Sequence, residues 1–193
     1  MTGREKSVHT SSASPDAQAL ADVAAGRVSA LAVIYDHHHA ALYRFFNHAT
    51  NYAPDVDDLV QTAFLTAAKA AASFDGRDNA RPWLMAIAAS VLYRRRRSLG
   101  RWGRVLRELA LGENSRCIEP SRVLFARDEL RAVARALSRL SEKKRVALLL
   151  ADVEELPYDQ IAVALGVPVG TVWTRVHHAR NELQSLLARE GGR

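Results

Sequence analysis

The sequence predicts an all-α protein made of two small helical domains joined by a flexible linker. Alanine, leucine and arginine are abundant among its 193 residues, and all three residue types favour helix. Apolar residues recur at steps of three and four, as they do on the buried face of an amphipathic helix. No stretch alternates apolar and polar residues for long enough to predict a strand.

The charge of the chain is positive and unevenly distributed. Its net charge of +6 favours a polyanionic partner, either nucleic acid or an acidic protein surface. Acidic residues gather at 55–58, whereas arginines gather at 94–107. Because the two clusters have opposite signs, we expect two different partners.

Cysteine content and hydropathy bear on the compartment. Cys117 is the single cysteine, so an internal disulfide is excluded and a reducing cytoplasm is favoured. No apolar run approaches the length of a membrane span, and residues 1–15 lack the apolar core of a signal peptide. We expect a cytoplasmic protein without membrane insertion, with residues 1–15 as a disordered tail and Cys117 as an incidental thiol.

The first domain is predicted to cover 16–97 and to contain four helices. A short helix over 16–25 ends at Gly26, and Ser29 is placed to cap the second helix. A third helix over 55–72 follows a break at 51–54, and its acidic first turn suits the helix dipole. The loop 73–80 leads to a fourth helix with Pro82 in its first turn. The predicted core residues are Leu31, Ile34, Tyr35, Leu42, Phe45, Phe46, Ala49, Val56, Leu59, Val60, Ala63, Phe64, Ala67, Leu84, Ile87, Ala88, Val91 and Leu92.

Scattered glycine and proline mark residues 98–129 as a linker, within which 105–111 has a helical pattern. The second domain is predicted to cover 130–188. A helical pattern resumes over 123–140, and Ser141 is placed to cap the helix after it. Two further helices follow over Tyr158–Leu165 and 169–187, with a turn at Gly166 between them.

These last two helices form a helix-turn-helix, whose second helix is sized for the major groove of DNA. Val172, Val176, Ala179 and Leu183 form its inward stripe. Its other face is polar or aromatic and predicts a DNA-binding surface, although a solvated amphipathic helix would have the same spacing. The predicted DNA-binding residues are Gly170, Thr171, Trp173, Thr174, Arg175, His178 and Arg180.

The run from Tyr158 to Arg180 closely resembles the C-terminal domain, region 4, of bacterial extracytoplasmic-function (ECF) sigma factors in the sigma-70 family. A second run resembles region 2 of the same family. It comprises 42–45, 57–61 with Phe64, 74–76, and Trp83-Leu84 with Ile87-Ala88. The resemblance implies that region 4 reads the −35 promoter element. It implies that region 2 binds core RNA polymerase and opens the −10 element around a flipped base.

The resemblance also implies site residues in region 2. Those expected to dock on the β′ clamp helices of core polymerase are Asp55, Asp57, Asp58, Leu59, Gln61 and Phe64. Those expected at the −10 element are Asp75, Arg77, Asn79, Arg81, Trp83, Ser90, Arg94 and Arg97. A pocket beside a basic, aromatic-bearing helix suits an unpaired base, because stacking offsets part of the unpairing cost. Trp83 fits a core aromatic equally well.

No motif predicts catalysis or a cofactor, so we expect a protein that is not an enzyme and has no cofactor. The run His37, His38 and His39 invites a metal site. Consecutive helical residues point about 100° apart, which predicts that these histidines do not converge on one ion. We therefore expect no metal site.

The leading hypothesis is an ECF sigma factor that directs core RNA polymerase to promoters by −35 recognition and −10 melting. Its implied partners are promoter DNA, the β′ clamp helices and β flap of core polymerase, and an anti-sigma factor. The alternative is a stand-alone, dimeric helix-turn-helix regulator, which would not need the acidic helix. A third class is an interaction protein that has lost promoter opening, because Ser90 and Arg94 stand where the family often carries asparagine and aspartate.

Overall fold

The structure, a computed structural model, describes residues 14–76, 79–109 and 128–191. These residues contain helices and no strand. The predicted all-α class is confirmed. The α-helices are α1 (Pro15–Ala24), α2 (Leu31–Thr50), α3 (Val56–Ala70), α4 (Arg81–Leu109), α5 (Asp128–Arg139), α6 (Glu142–Leu148), α7 (Tyr158–Leu165) and α8 (Val169–Gly191). The predicted tail up to residue 13, Arg77 and Cys117 lie outside the described residues.

The N-terminal half is a bundle of α1 to α4 around Leu20, Leu42, Phe45, Phe46 and Leu84, which are fully buried. Ser14 caps α1, because its Oγ accepts a hydrogen bond from the backbone N–H of Ala17 at 3.2 Å. The predicted cap at Ser29 is wrong. Ser29 lies inside a 3-10 turn, Val28–Ala30, and α2 begins after this turn without a side-chain cap.

Local backbone chemistry sets the breaks between the next helices. α2 ends where Asn51 and Tyr52 take left-handed conformations, with φ of 57° and 59°. α3 tightens into a 3-10 turn, Ala71–Ser73, before the loop that leads to α4. Asn79 Oδ1 then accepts a hydrogen bond from the backbone N–H of Arg81 at 2.9 Å, which satisfies an N–H at the start of α4.

α4 is longer than predicted. It runs through the arginine block and ends at Leu109, so the linker predicted to begin at 98 is helical over its first twelve residues, 98–109. Leucine and arginine in this stretch are strong helix formers, and an interior glycine costs only about 1 kcal/mol. Gly100 and Gly103 therefore do not end the helix.

The C-terminal half packs α6 and α7 against α8 and places α5 beside α8. After α6 the chain makes one π-helical turn, Leu149–Val153, closed by a hydrogen bond from Glu154 N–H to Leu149 O at 2.9 Å. α7 ends at Gly166, whose φ of 62° suits a residue without a Cβ. Ser141 precedes α6 as predicted, but its side chain makes no capping hydrogen bond.

The two halves pack against each other. α4 lies along α7, and α2 contacts α5, α6 and the π-helical turn, so the buried residues form one continuous core. Arg96 of α4 also pairs with Glu142 of α6. The described residues therefore form a closed arrangement, in which the first helix of the helix-turn-helix contacts the helix that carries the arginine block.

Candidate nucleic-acid interface

The predicted recognition face lies on the first half of α8. Val172, Val176 and Ala179 are fully buried, which orients the opposite face outward. Trp173 is 61% exposed, and its ring stands edge-on to Tyr158 with centroids 5.0 Å apart. Gly170, Thr174, His178 and Arg180 are also exposed, whereas Thr171 and Arg175 are half-buried. The structure thus brings all seven predicted residues to one helix.

The start of α8 offers backbone donors to an anion. Backbone N–H groups at the start of a helix lack partners one turn earlier, and the helix dipole favours negative charge there. Those of Thr171 and Val172 donate to Pro168 O at 2.9 and 3.3 Å, so the N–H groups of Val169 and Gly170 are the ones that an anion would meet first. Gly170 is exposed in this turn, and no atom lies within 4 Å of the position that a Cβ would take. Thr174 Oγ1 donates to Gly170 O at 2.9 Å, so the threonine hydroxyl is turned back on its own helix. The arrangement suits a DNA phosphate.

Arg180 has an intramolecular partner that the sequence did not indicate. Its Nε and Nη2 donate to the two carboxylate oxygens of Asp152 at 3.1 and 2.6 Å. The hydrogen bond to the Asp152 carboxylate is the largest cause that raises the pKa of Arg180, so the guanidinium stays charged. The pair with Asp152 occupies Nε and Nη2 of Arg180, so a phosphate that used these two donors would have to displace Asp152. Asp152 lies 28 positions away in sequence, too far for a helical-spacing argument to pair them.

The predicted −10 residues fall in two places. Asp75 and Asn79 lie on the exposed loop before α4, and Ser90, Arg94 and Arg97 lie on the exposed face of α4. Arg94 Nη2 donates to Ser90 Oγ at 3.3 Å. The groove beside them, between α3 and α4, has a volume of about 540 Å³ and is lined by Leu59, Thr62, Val91, Arg94, Arg95, Arg97 and Ser98.

Trp83 packs edge-on against Phe74 with ring centroids 5.4 Å apart, and it lies against the core while remaining half-buried. This placement agrees with the core-aromatic interpretation. Trp83 therefore holds the base of the loop before α4 in place, whether or not a base stacks on it.

Arg81, which is predicted to contact the −10 element, pairs with a residue of the other half in this closed arrangement. Its Nη2 donates to Glu154, whose side chain is fully buried between the two halves. Arg44 of α2 donates to the same carboxylate through Nε at 3.2 Å and Nη2 at 3.1 Å. Arg81 thus contributes to the contact between the two halves in this arrangement, and its contact with the −10 element stays a prediction. We refer to Arg44, Arg81 and Glu154 as the interdomain triad.

The start of α3 exposes three of the six residues that are predicted to dock on polymerase. Asp57, Asp58 and Gln61 are exposed on α3. Leu59 and Phe64 are 7% and 4% exposed, so they present little surface to a partner in this arrangement, and their contacts with polymerase stay a prediction. Both belong to the apolar stripe that holds α3 on the bundle.

Asp55, at the start of α3, forms an ion pair with Arg95 of α4. Its carboxylate accepts two hydrogen bonds from Arg95 at 2.6 and 2.8 Å, which tie the start of α3 to α4. The hydrogen bond from Arg95 is the largest cause that lowers the pKa of Asp55. Asp55 is therefore an ion-pair partner within the bundle's own structure, whereas Asp57, Asp58 and Gln61 are the exposed members of the predicted docking set on α3.

An aromatic row on α2 was missed as a surface. Tyr35, predicted to be buried, is 45% exposed, and its ring lies 4.9 Å from Phe64 and 4.6 Å from His39. His39 in turn stacks on Tyr43 at 5.8 Å. The spacing of four residues would have indicated this row, had Tyr35 not been assigned to the core. It extends the exposed surface of α3 onto α2.

Two of the three histidines in the run converge on one carboxylate, which the 100° argument did not predict, whereas His39 stacks on Tyr43. His37 and His38 both contact the carboxylate of Asp16, and the three side chains place potential metal ligands within 4.8 Å of one another. Among the described residues, these three side chains are the one group of histidines and carboxylates close enough together to hold a metal ion. Within the same ranges, no helix is both long and apolar enough to cross a bilayer.

Comparison with known proteins agrees with both halves of this arrangement. The family patterns described as Sigma-70 region 2 and Sigma-70, region 4 match residues 34–101 and 130–183. The ECF RNA polymerase sigma-E factor of Escherichia coli (strain K12) is 31% identical over 182 residues, which cover 82% of this chain and 87% of that relative. The "Probable RNA polymerase sigma-C factor" of Mycobacterium bovis is 37% identical over 138 residues, 68% of this chain and 71% of that relative.

Two solved structures share the fold. CnrH, in complex with the cytosolic domain of CnrY, superposes with a TM-score of 0.65 at 27% identity, over 91% of this chain and 98% of that chain. The sigma factor RpoE from Bartonella quintana, in complex with the anti-sigma factor NepR, superposes with a TM-score of 0.63 at 30% identity, over 77% of this chain and 91% of that chain. The chain belongs to the extracytoplasmic-function RNA polymerase sigma factors of the sigma-70 family.

Proposed function

We propose that this sigma factor reads the −35 element with the exposed face of α8 and opens the −10 element with α4 and the loop before it. Asp57, Asp58 and Gln61, together with the aromatic row on α2, dock on core RNA polymerase in the cytoplasm. The observation that carries the proposal is the presence, in one chain, of an outward-facing recognition helix and an exposed acidic turn beside an arginine-lined groove. The protein positions the polymerase and performs no chemical step itself.

The closed arrangement must open before both elements are bound. The −35 and −10 elements lie roughly 25 base pairs apart, which is about 85 Å along B-DNA at about 3.4 Å per step. Helices that pack side by side keep their axes about 8–10 Å apart, and α4 packs along α7 here. Binding to core polymerase therefore has to separate the two halves and break the interdomain triad.

An anti-sigma factor is a second partner. The structural relatives RpoE and CnrH were each solved in complex with another protein, and that protein is an anti-sigma factor in the case of RpoE. Such a partner would inhibit this chain by covering Asp57, Asp58, Gln61 or the aromatic row on α2, the same surface that core polymerase needs.

Run-off transcription with purified core RNA polymerase tests the proposal, using DNA fragments that include the region upstream of this protein's own reading frame. We expect specific transcripts that depend on the protein. The double variant D58A/Q61A should lose polymerase binding and transcription. D159A removes an exposed carboxylate from α7 instead and should retain both.

The second arm concerns α8. The variant R175A should weaken binding to the −35 element while core polymerase binding stays intact, which separates the two surfaces. A stand-alone regulator would bind its DNA as a dimer without polymerase, and D58A/Q61A would leave its function unchanged. Either observation would refute the proposed division of labour.

A further inference from the structure

Asp16, His37 and His38 form a compact cluster where the start of α1 meets the middle of α2. Asp16 Oδ1 lies 2.8 Å from His37 Nδ1, and Asp16 Oδ2 lies 2.7 Å from His38 Nε2. The side chains of Asp16 and His38 are 12% and 10% exposed, whereas that of His37 is 49% exposed. The cluster is thus walled by protein on one side and open to solvent at His37.

Neighbouring histidines converge here because they use different ring atoms. His38 points into the α1–α2 interface and reaches the carboxylate with Nε2, the nitrogen far from its Cβ. His37 leaves the helix about 100° away and reaches the other carboxylate oxygen with Nδ1, the nitrogen near its Cβ. The difference in reach compensates for the difference in direction, which an argument from Cβ directions alone omits.

The donor set is that of a transition-metal site. Two imidazole nitrogens and one carboxylate oxygen bind Zn²⁺ in sites that keep a further position for water, and the same set suits other first-row divalent ions. The three ligand atoms lie within 4.8 Å of one another. Bonds of about 2.0–2.2 Å in a tetrahedron require ligand separations of roughly 3.4 Å, so modest side-chain rotation suffices.

We propose that Asp16, His37 and His38 bind a divalent first-row transition-metal ion of the zinc class, with solvent completing its coordination. The ion ties the first turn of α1 to α2. α1 also packs against α3 and the turn Ala71–Ser73, which leads directly into the loop before α4. On the function proposed above, the ion would hold the helix that supports the −10 loop.

Metal binding to the purified full-length chain tests this inference without any transcription assay. Zn²⁺ is titrated calorimetrically into chelator-treated protein, and Co²⁺ is used as a spectroscopic probe whose visible absorption reports nitrogen and oxygen ligation. We expect one saturable site, and Zn²⁺ should raise the Tm of the wild-type protein. Loss of one ligand should weaken binding at least as much as the roughly 10–100-fold that loss of an outer-shell partner costs.

Three variants assign the site. H37A removes a half-exposed ligand with little loss of packing, and D16N keeps the shape of the carboxylate. H39A removes the next histidine in the run, which stacks on Tyr43 outside the cluster. Binding should fall in H37A and D16N and stay unchanged in H39A, with circular dichroism confirming that each variant is helical.

Two results would overturn the inference. Absence of saturable Zn²⁺ or Co²⁺ binding would show that the cluster is a hydrogen-bonded clip between α1 and α2. Binding that persists in H37A would assign the ion to other histidines among the seven in the chain. Since no arm uses polymerase or DNA, neither result depends on the proposed role in transcription.

Discussion

Replacing Glu154 with glutamine should open the molecule. The Glu154 side chain is fully buried, and its carboxylate accepts hydrogen bonds from Arg44 and Arg81 of the other half. Glutamine keeps the shape of the side chain but removes the charge and one acceptor oxygen. Because both arginines belong to the N-terminal half, E154Q weakens the contact between the halves and leaves the apolar packing of the continuous core in place.

The size of the effect follows from the burial of the partners. Breaking a buried ion pair costs about 3–5 kcal/mol when the remaining charge stays buried. The side chains of Arg44 and Arg81 are 42% and 33% exposed, so water reaches them once they are released. We therefore expect about 1–3 kcal/mol, which corresponds to a roughly 5–150-fold shift from the closed to the open arrangement.

Two measurements on E154Q report this shift. Small-angle scattering should give a larger radius of gyration than for the wild type. Core RNA polymerase should bind more tightly, because apparent affinity rises with the fraction of the binding-competent state. E155Q is the matched control, since it makes the same chemical change at the exposed neighbouring residue. If E154Q and E155Q behaved alike in both measurements, the triad would not hold the halves together.

Three further changes have defined outcomes. D152N releases Arg180 from an exposed ion pair and should therefore tighten binding to −35 DNA. The gain measured by fluorescence anisotropy should be up to about fivefold, as expected for a contact of about 0–1 kcal/mol. Unchanged affinity would mean that Arg180 does not reach DNA. G166A places a Cβ at φ +62°, which costs about 1–2 kcal/mol and should lower the Tm in calorimetry by several degrees; an unchanged Tm would contradict the strain argument. The pKa of Asp55 is lowered below its usual 3.8, so its pair with Arg95 stabilises the fold above about pH 4 and loses that contribution as pH falls through the lowered value. In urea unfolding, the stability difference between wild type and D55N should therefore be constant above that pH and shrink below it, and a difference that grew on acidification would reverse the assignment.

Local patterns predicted the helices well. Three- and four-residue spacing located α2, α3, α7 and α8 to within a few residues, and Gly166 marked the turn between the last two. Leu59 and Phe64 show the limit of the same information. Both belong to the apolar stripe of α3 and to a family docking motif. In this structure both side chains are buried in the stripe.

Contacts between distant segments could not be predicted. Arg44 and Glu154 are 110 residues apart, and Asp16 and His38 are 22 apart, so no periodicity connects either pair. The closed packing of the two halves was missed for the same reason. The family resemblance places Arg81 at the −10 element and carries no information on Glu154, the partner carboxylate from another part of the chain.

The π-helical turn Leu149–Val153 makes the length of this segment critical. Asp152 faces Arg180 of the recognition helix, and Glu154, two residues later, faces Arg44 and Arg81. A π-turn accommodates one extra residue in an α-helical ladder, and deleting one residue would rotate everything after it by about 100°. Such a deletion would turn Asp152 away from Arg180 and Glu154 away from Arg44 and Arg81, so both contacts would be lost together. Homologues that lack this turn should therefore have lost both restraints together.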